Sequence, residues 1–114
     1  DINGVYRQIE VLGAATGHIG EAAELVGQMQ ADIDEIVASV PERDEPLTYF
    51  HELDTALYSV TSDTFIGQIY GLLGLRSIAD AADGVADSGG YPQLSEEFVI
   101  EADPDVIFLA DAQC

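Results

Sequence analysis

Apolar residues recur at helical spacing from the start of the chain. Ile2, Val5, Ile9 and Leu12 predict a helix over residues 1–12, which Gly13 and the Thr16-Gly17 pair interrupt. A longer pattern follows over residues 18–40, with Ala22, Leu25, Val26, Met29, Ile33, Ile36, Val37 and Val40 on one face and Glu21, Glu24, Gln28, Asp32 and Glu35 on the other. At about 1.5 Å per residue this makes a rod of roughly 33 Å, long for a chain of 114 residues. Pro41 and the charged stretch to Pro46 end it. Leu47–Leu53, with Thr48, Tyr49 and Phe50, reads as a strand. A polar loop over 54–62 leads to a third helix carrying Phe65, Ile66, Ile69, Leu72 and Leu73, with Ser62 or Asp63 as its cap and Gly74 just past its end. Residues 76–93 read as loop. Ser95 caps a short fourth helix, with Leu94 and Val99 as a hydrophobic staple and Glu96 and Glu97 in the first turn. Asp103-Pro104 ends that helix, and Val106–Ala110 is an apolar strand expected to be buried on both faces.

Helix, helix, strand, helix, helix, strand is an α/β order with at least one βαβ crossover. Residues 1–45 form a helical segment and 46–114 an α/β segment. Two buried parallel strands do not make a stable sheet, because their edges need neighbours. The long helix also has no evident second wall. The chain therefore reads as part of a larger molecule or as an obligate partner, and self-association through the open edges is expected.

Composition sharpens this picture. The chain carries 22 acidic side chains against three Arg (Arg7, Arg43, Arg76) and no Lys, for a formal charge of −19. Such a balance excludes nucleic-acid binding, which needs cations to displace phosphate counterions, and disfavours anionic lipid or free polyanions as ligands. A carboxylate surface without Lys suits high salt or an acidic setting. Hydrophobic content of 47% sets the chain apart from a disordered acidic tail. No run approaches the ~20 apolar residues of a membrane span. The single cysteine, Cys114, excludes an internal disulfide or a cysteine metal cluster. Position 1 is Asp, and no signal peptide is visible, so a targeting segment has been removed or the chain is a piece of something longer.

Candidate chemistry gathers at the end of the first strand, where His51, Glu52 and Asp54 lie at the carboxyl edge that α/β sheets use for ligands. A His with two carboxylates has metal-ligating character. The plainer alternative is a strand-end His packed on one face beside solvated acids. Asp80, Asp83 and Asp87 lack the spacing of a calcium loop, and Ser88-Gly89-Gly90 opens no phosphate-binding helix. His18 sits at a helix start. No Ser-His-Asp or Cys-His set can be assembled.

The stretch from Tyr91-Pro92-Gln93-Leu94-Ser95-Glu96-Glu97 through Asp103-Pro104-Asp105-Val106-Ile107 resembles a signature of the metal-chelate solute receptors of ABC importers. Leu12-Gly13-Ala14-Ala15-Thr16-Gly17, followed by Ala22-Ala23, is similar to the approach to their long interlobe helix. The resemblance covers nearly the whole chain and implies a two-lobed molecule with one rigid helix between lobes. This chain would hold that helix and the first half of a Rossmann-like C-terminal lobe; the N-terminal lobe of the same polypeptide would lie outside it. Such a receptor is not an enzyme. It traps a ferric siderophore, haem or cobalamin between lobes, on the outer side of the cytoplasmic membrane as a periplasmic or lipid-anchored protein, and hands it to permease subunits. No cofactor is implied beyond that ligand. The resemblance places His51, Glu52 and Asp54 at the cleft as ligand contacts without direct metal coordination. It matches Tyr58 to a cleft aromatic and Glu97, two positions after Ser95, to a carboxylate that pairs with Arg on the permease. The competing readings are a stand-alone α/β metal-binding or enzymatic domain using His51, Glu52 and Asp54, and an acidic module that completes its sheet on a partner.

Overall fold

The computed structural model describes residues 1–111, so Cys114 lies outside the described residues. The chain divides into two compact units, Asp1–Glu42 and the part from Arg43 onward.

The first unit is a pair of helices, α1 (Ile2–Thr16) and α2 (Ile19–Ser39). Asp1 caps α1 by accepting from the Gly4 N–H at 2.6 Å. The helix runs through Gly13, beyond the expected break, and stops at Gly17, whose φ of 79° is the left-handed conformation glycine adopts without strain. Gly13 serves packing instead: a Cβ there would collide with the Ala22 side chain and lie 3.0 Å from the His18 carbonyl. α2 starts after His18, whose side chain makes no capping bond but lies 3.2 Å from Glu21. It ends just ahead of Pro41.

The second unit holds β1 (Leu47–Glu52), α3 (Phe65–Leu72), β2 (Leu75–Ser77), α4 (Glu96–Ala102) and β3 (Val106–Leu109), with 3₁₀ turns at Ile78–Ala81 and Val85–Asp87. The strands form one parallel sheet in the order β2-β1-β3, with Tyr49 opposite both Ser77 and Val106. The short β2 and the two turns lie where the residue pattern predicts loop. Alternation along β1 sends Tyr49 and His51 to one face and Phe50 to the other. Tyr49 meets the Tyr70 ring of α3 at 4.6 Å between centroids. Phe50 instead joins Ile78, Ala79 and Leu94, with Phe98, Val99 and Ala102 of α4 packed against them. The sheet is therefore covered by α3 on one side and α4 on the other, and a buried ring such as Phe50 contributes about 1.5–3 kcal/mol to holding the layers.

The caps differ in detail. Thr64, not Ser62 or Asp63, caps α3 by accepting from the Gly67 N–H at 3.0 Å, and Gly74 at φ 73° turns the chain into β2. Ser95 caps α4 as its sequence predicts, accepting from Phe98 N–H at 3.1 Å. Its staple residues Leu94 and Val99 share the core. β3 departs from expectation. Ile107 and Leu109 are each 55% exposed, so only alternate residues of the strand are covered. β3 is the end strand of the sheet, and no other described element is paired on its far side.

Candidate functional site at the carboxyl edge of the sheet

β1 connects through α3 to β2 on one side, and the chain then returns across β1, through α4, to β3 on the other. The direction of travel reverses between β1 and β3, and the crevice at the carboxyl ends of such a strand pair is where open α/β sheets place ligands. Here the edge consists of Glu52 at the end of β1, Leu53 just past it, and Ala110 and Asp111 beyond β3, tied by the Ala110 N–H donating to the Glu52 carbonyl at 2.9 Å.

Two irregular segments build the rim above this edge. Leu94 N–H donates to Leu57 O, Ser59 N–H to Pro92 O and Thr61 N–H to Gly90 O, at 2.9–3.0 Å. Residues 57–61 therefore run antiparallel to 90–94, with Tyr58 bridged to Gln93. The Gln93 side-chain amide adds a bond to Ala56 O at 3.0 Å. Below, the Asp80 carboxylate accepts from both the N–H and the hydroxyl of Ser62, at 2.8 and 2.7 Å, and the Ser77 hydroxyl donates to Val60 O at 2.6 Å. The loop after β1 is fixed along its length, and it presents Tyr58 with 41% of its surface free, while Tyr91 on the facing segment is 44% free. A pocket of about 340 Å³ lies beside Tyr91, with Thr61, Asp63, Thr64 and Gly90 among its walls. A larger hollow of about 610 Å³ is lined by Thr48, Arg76, Phe98 and Glu101. Thr48 and Arg76 stand opposite each other toward the amino end of β1, and Ser77 and Asp80, which bond Val60 and Ser62 of the loop after β1, also line that hollow.

The structure separates the residues singled out at the end of β1. His51 is 8% exposed and turned under α3, where its Nδ1 shares a 3.0 Å hydrogen bond with the Tyr70 hydroxyl. The Tyr70 ring in turn stacks on Phe108 at 4.6 Å and 10°. Burial pushes the His51 imidazole below its ordinary pKa, so this site favours the neutral ring. Burial likewise raises the Tyr70 phenol and drives Tyr49 up to about 12. Asp54 is committed to its own loop: its Oδ1 accepts from Ala56 N–H at 2.9 Å and Tyr58 N–H at 3.4 Å, an Asx turn that sets the direction of Tyr58. Glu52 is half-buried at the strand end. Among the described residues no group of three or more His, Cys, Asp or Glu could hold a metal ion. Glu97 is exposed in the first turn of α4, beside Glu96.

A family model described as periplasmic binding protein matches residues 1–113. The chain belongs to the periplasmic binding protein family. Within this family it is 36% identical over 108 residues to a cobalamin-binding protein of Halobacterium salinarum, covering 93% of this chain and 28% of that one. It is 30% identical over 111 residues to an uncharacterised ABC transporter substrate-binding lipoprotein of Bacillus subtilis, covering 94% and 33%. The fold matches that of a Staphylococcus epidermidis protein described as a possible iron-binding, periplasmic solute-binding protein, with a TM-score of 0.83 at 23% identity over 99% of this chain and 42% of that chain. The chain thus spans about a third of the length of the curated relatives it matches.

The rim, with two half-exposed tyrosines, is the candidate site in this structure. Tyr91 was missed by residue patterning. Its signal was present in the Tyr91-Pro92 pair just ahead of a capped helix, but nothing local to that pair places it on the same rim as Tyr58. The pairing of 57–61 with 90–94 does so, with Gln93 opposite Tyr58 and Tyr91 two residues further along the facing segment.

Proposed function

We propose that the chain is part of the solute-binding component of an ABC importer. It offers one wall of a ligand cleft on the outer side of the membrane, and its ligand is a metal chelate, with a corrinoid favoured over ferric siderophore or haem. The observation that carries this is the pair of half-exposed rings, Tyr58 and Tyr91, held on a rigid rim at the carboxyl edge of a periplasmic binding protein sheet. Aromatic faces suit flat macrocycles. Charge narrows the class. The carboxylates of Glu52, Asp54, Asp63 and Glu97 occur on the segments at this end, whereas Arg76 and Arg43 belong to the amino end, Arg43 acting on Asp105 just ahead of β3. An edge without cations disfavours anionic ferric catecholates and tolerates a neutral or cationic corrin. The relative named for cobalamin, at 36% identity, supports the same choice. Binding and delivery require no bond to be made or broken, so the protein works as a receptor, not an enzyme, and permease subunits receive its ligand.

Titration of the full-length protein with cyanocobalamin and with a ferric catecholate, followed by ligand absorbance, tests this. Tight binding of the corrinoid that weakens at least about 10-fold in Tyr58→Ala and in Tyr91→Ala, about 1.4 kcal/mol each, is expected. Unchanged affinity in both variants, or preference for the catecholate, overturns it.

A further inference from the structure

The acidic side chains are distributed in a way that says what medium the fold is built for. All of them except Glu52 and Asp111 are exposed. Offsetting charge is nearly absent: among the described residues Arg7 pairs with Asp1 at 3.9 Å at the surface, and His18 lies within hydrogen-bond distance of Glu21 at 3.2 Å. A compact chain of charge −19 is loosened by its own repulsion. Two media relieve that repulsion. Acid protonates carboxylates, and concentrated salt screens them, shrinking the Debye length from about 10 Å at 0.1 M to about 3 Å at 1 M.

The structure chooses between the two. Several carboxylates serve as acceptors for the backbone. Asp105 accepts from the Thr48 N–H at 2.8 Å and its hydroxyl at 3.1 Å, tying the start of β1 to the residue ahead of β3. Asp80 holds Ser62, Asp54 holds Ala56 and Tyr58, and Asp1 caps α1. An ionised acceptor makes such bonds charge-assisted and stronger, and Asp80 accepts at both of its oxygens. Protonation would take the charge assistance from these bonds and turn one oxygen of each carboxyl into a donor, whereas salt quiets the surface and leaves the carboxylates ionised.

We infer that this fold is built to work in molar monovalent salt, and that its stability falls as salt is withdrawn at neutral pH. The dependence belongs to the exposed carboxylates that accept no hydrogen bond, among them Glu24, Glu35, Glu42, Asp83, Asp87 and Glu101.

Thermal unfolding of the full-length chain at pH 7, from about 0.1 M to about 2 M NaCl, tests this against a combined variant with Glu24→Gln, Glu35→Gln, Glu42→Gln, Asp83→Asn, Asp87→Asn and Glu101→Gln. The parent Tm is expected to rise by about 10 °C or more over this range. The variant is expected to start higher at low salt and to rise by markedly less. A flat parent Tm overturns the inference. So does an equal rise in parent and variant, which would assign the effect to salting-out of apolar surface and not to charge. Urea midpoints on the same series give a second reading that does not depend on reversibility at high temperature.

Discussion

Gly67 is the position where one methyl group should do most damage to the site. It lies in the first turn of α3, and a Cβ there would fall on the Thr61 carbonyl oxygen and within 2.6 and 2.8 Å of Ser62 Cα and C. The obstacle is backbone and cannot swing aside. Thr61 is held by its N–H to Gly90 O at 2.9 Å, and Ser62 by two bonds to Asp80. Relief requires α3 to lift, which also breaks the cap from Thr64 to the Gly67 N–H. Overpacking of this kind costs about 1–3 kcal/mol and the lost cap about 1 kcal/mol. The helical preference of Ala over Gly returns at most about 1 kcal/mol. The net for Gly67→Ala is a destabilisation of about 1–3 kcal/mol, which for a urea slope of about 1–3 kcal/mol/M moves the midpoint down by roughly 1 M. Gly71→Ala is the control. It lies on the same helix with nothing within 4 Å of the added carbon, so it should stabilise by about 0.4–1 kcal/mol. Urea unfolding of the full-length chain, followed by far-ultraviolet circular dichroism in high salt, reads both. If the two substitutions move the midpoint in the same direction, the seating of α3 on the 61–62 backbone is refuted.

Three further outcomes follow from the geometry. His51 has its pKa lowered by burial, so the folded state resists the proton that the unfolded chain accepts; its share of stability is complete above the unfolded value near 6.5 and is lost as pH falls below it. Urea midpoints at pH 7.5, 6.5 and 5.5 (about one unit either side of the ordinary histidine value) should fall on acidification, with a shallower slope in His51→Phe. Asp105 has its pKa lowered by the hydrogen bonds from the Thr48 backbone and side chain, so its contribution is present above the usual carboxylate value and lost as pH falls through and below it; Asp105→Asn should flatten that acid limb, and an unchanged limb would remove Asp105 from the β1–β3 tie. Glu97→Ala should leave ligand affinity and Tm nearly intact yet reduce receptor-stimulated ATPase of the importer, while Glu96→Ala, which shares the helix dipole, should not; equal effects would leave Glu97 only a role at its helix end.

The elements that carry strong local signals were legible in the chain. α2 ends where Pro41 requires, β1 begins at Leu47, and Ser95 caps α4 with its staple in place. What escaped reading is tertiary in origin. β2 has three residues, too few for a period, and exists because Leu75–Ser77 can pair with Leu47–Tyr49. Gly13 looks like a helix stop, yet it is a contact point with Ala22. The apolar run of β3 looks doubly buried, while Ile107 and Leu109 face outward from an end strand. The candidate site divided in the same way. Strand alternation put His51 on a definite face, but only the fold reveals that Tyr70 waits there. Tyr58 was visible as a loop aromatic, and Tyr91 needed the 57–61 and 90–94 pairing to reach the same rim.

The way the rim is held connects its acidity to its task. A chain with three Arg and no Lys has few side-chain cations with which to pin loops or grip a ligand. It positions Tyr58 and Tyr91 by backbone pairing and by carboxylates that accept from N–H groups, as Asp54 and Asp80 do. Backbone pairing is indifferent to the sign of the surface charge, and an N–H to carboxylate bond is strengthened by the carboxylate's own charge. The same economy restricts what this wall can recognise. Among the described residues no Arg or Lys lies at its carboxyl edge, so under the proposed function selectivity here would rest on aromatic faces and on neutral donors and acceptors such as Thr61 and Thr64 beside the Tyr91 pocket. Contacts of that kind lose little when salt is high, because they do not depend on long-range attraction. The proposed dependence on salt and the proposed binding wall without charge attraction would therefore both follow from one composition.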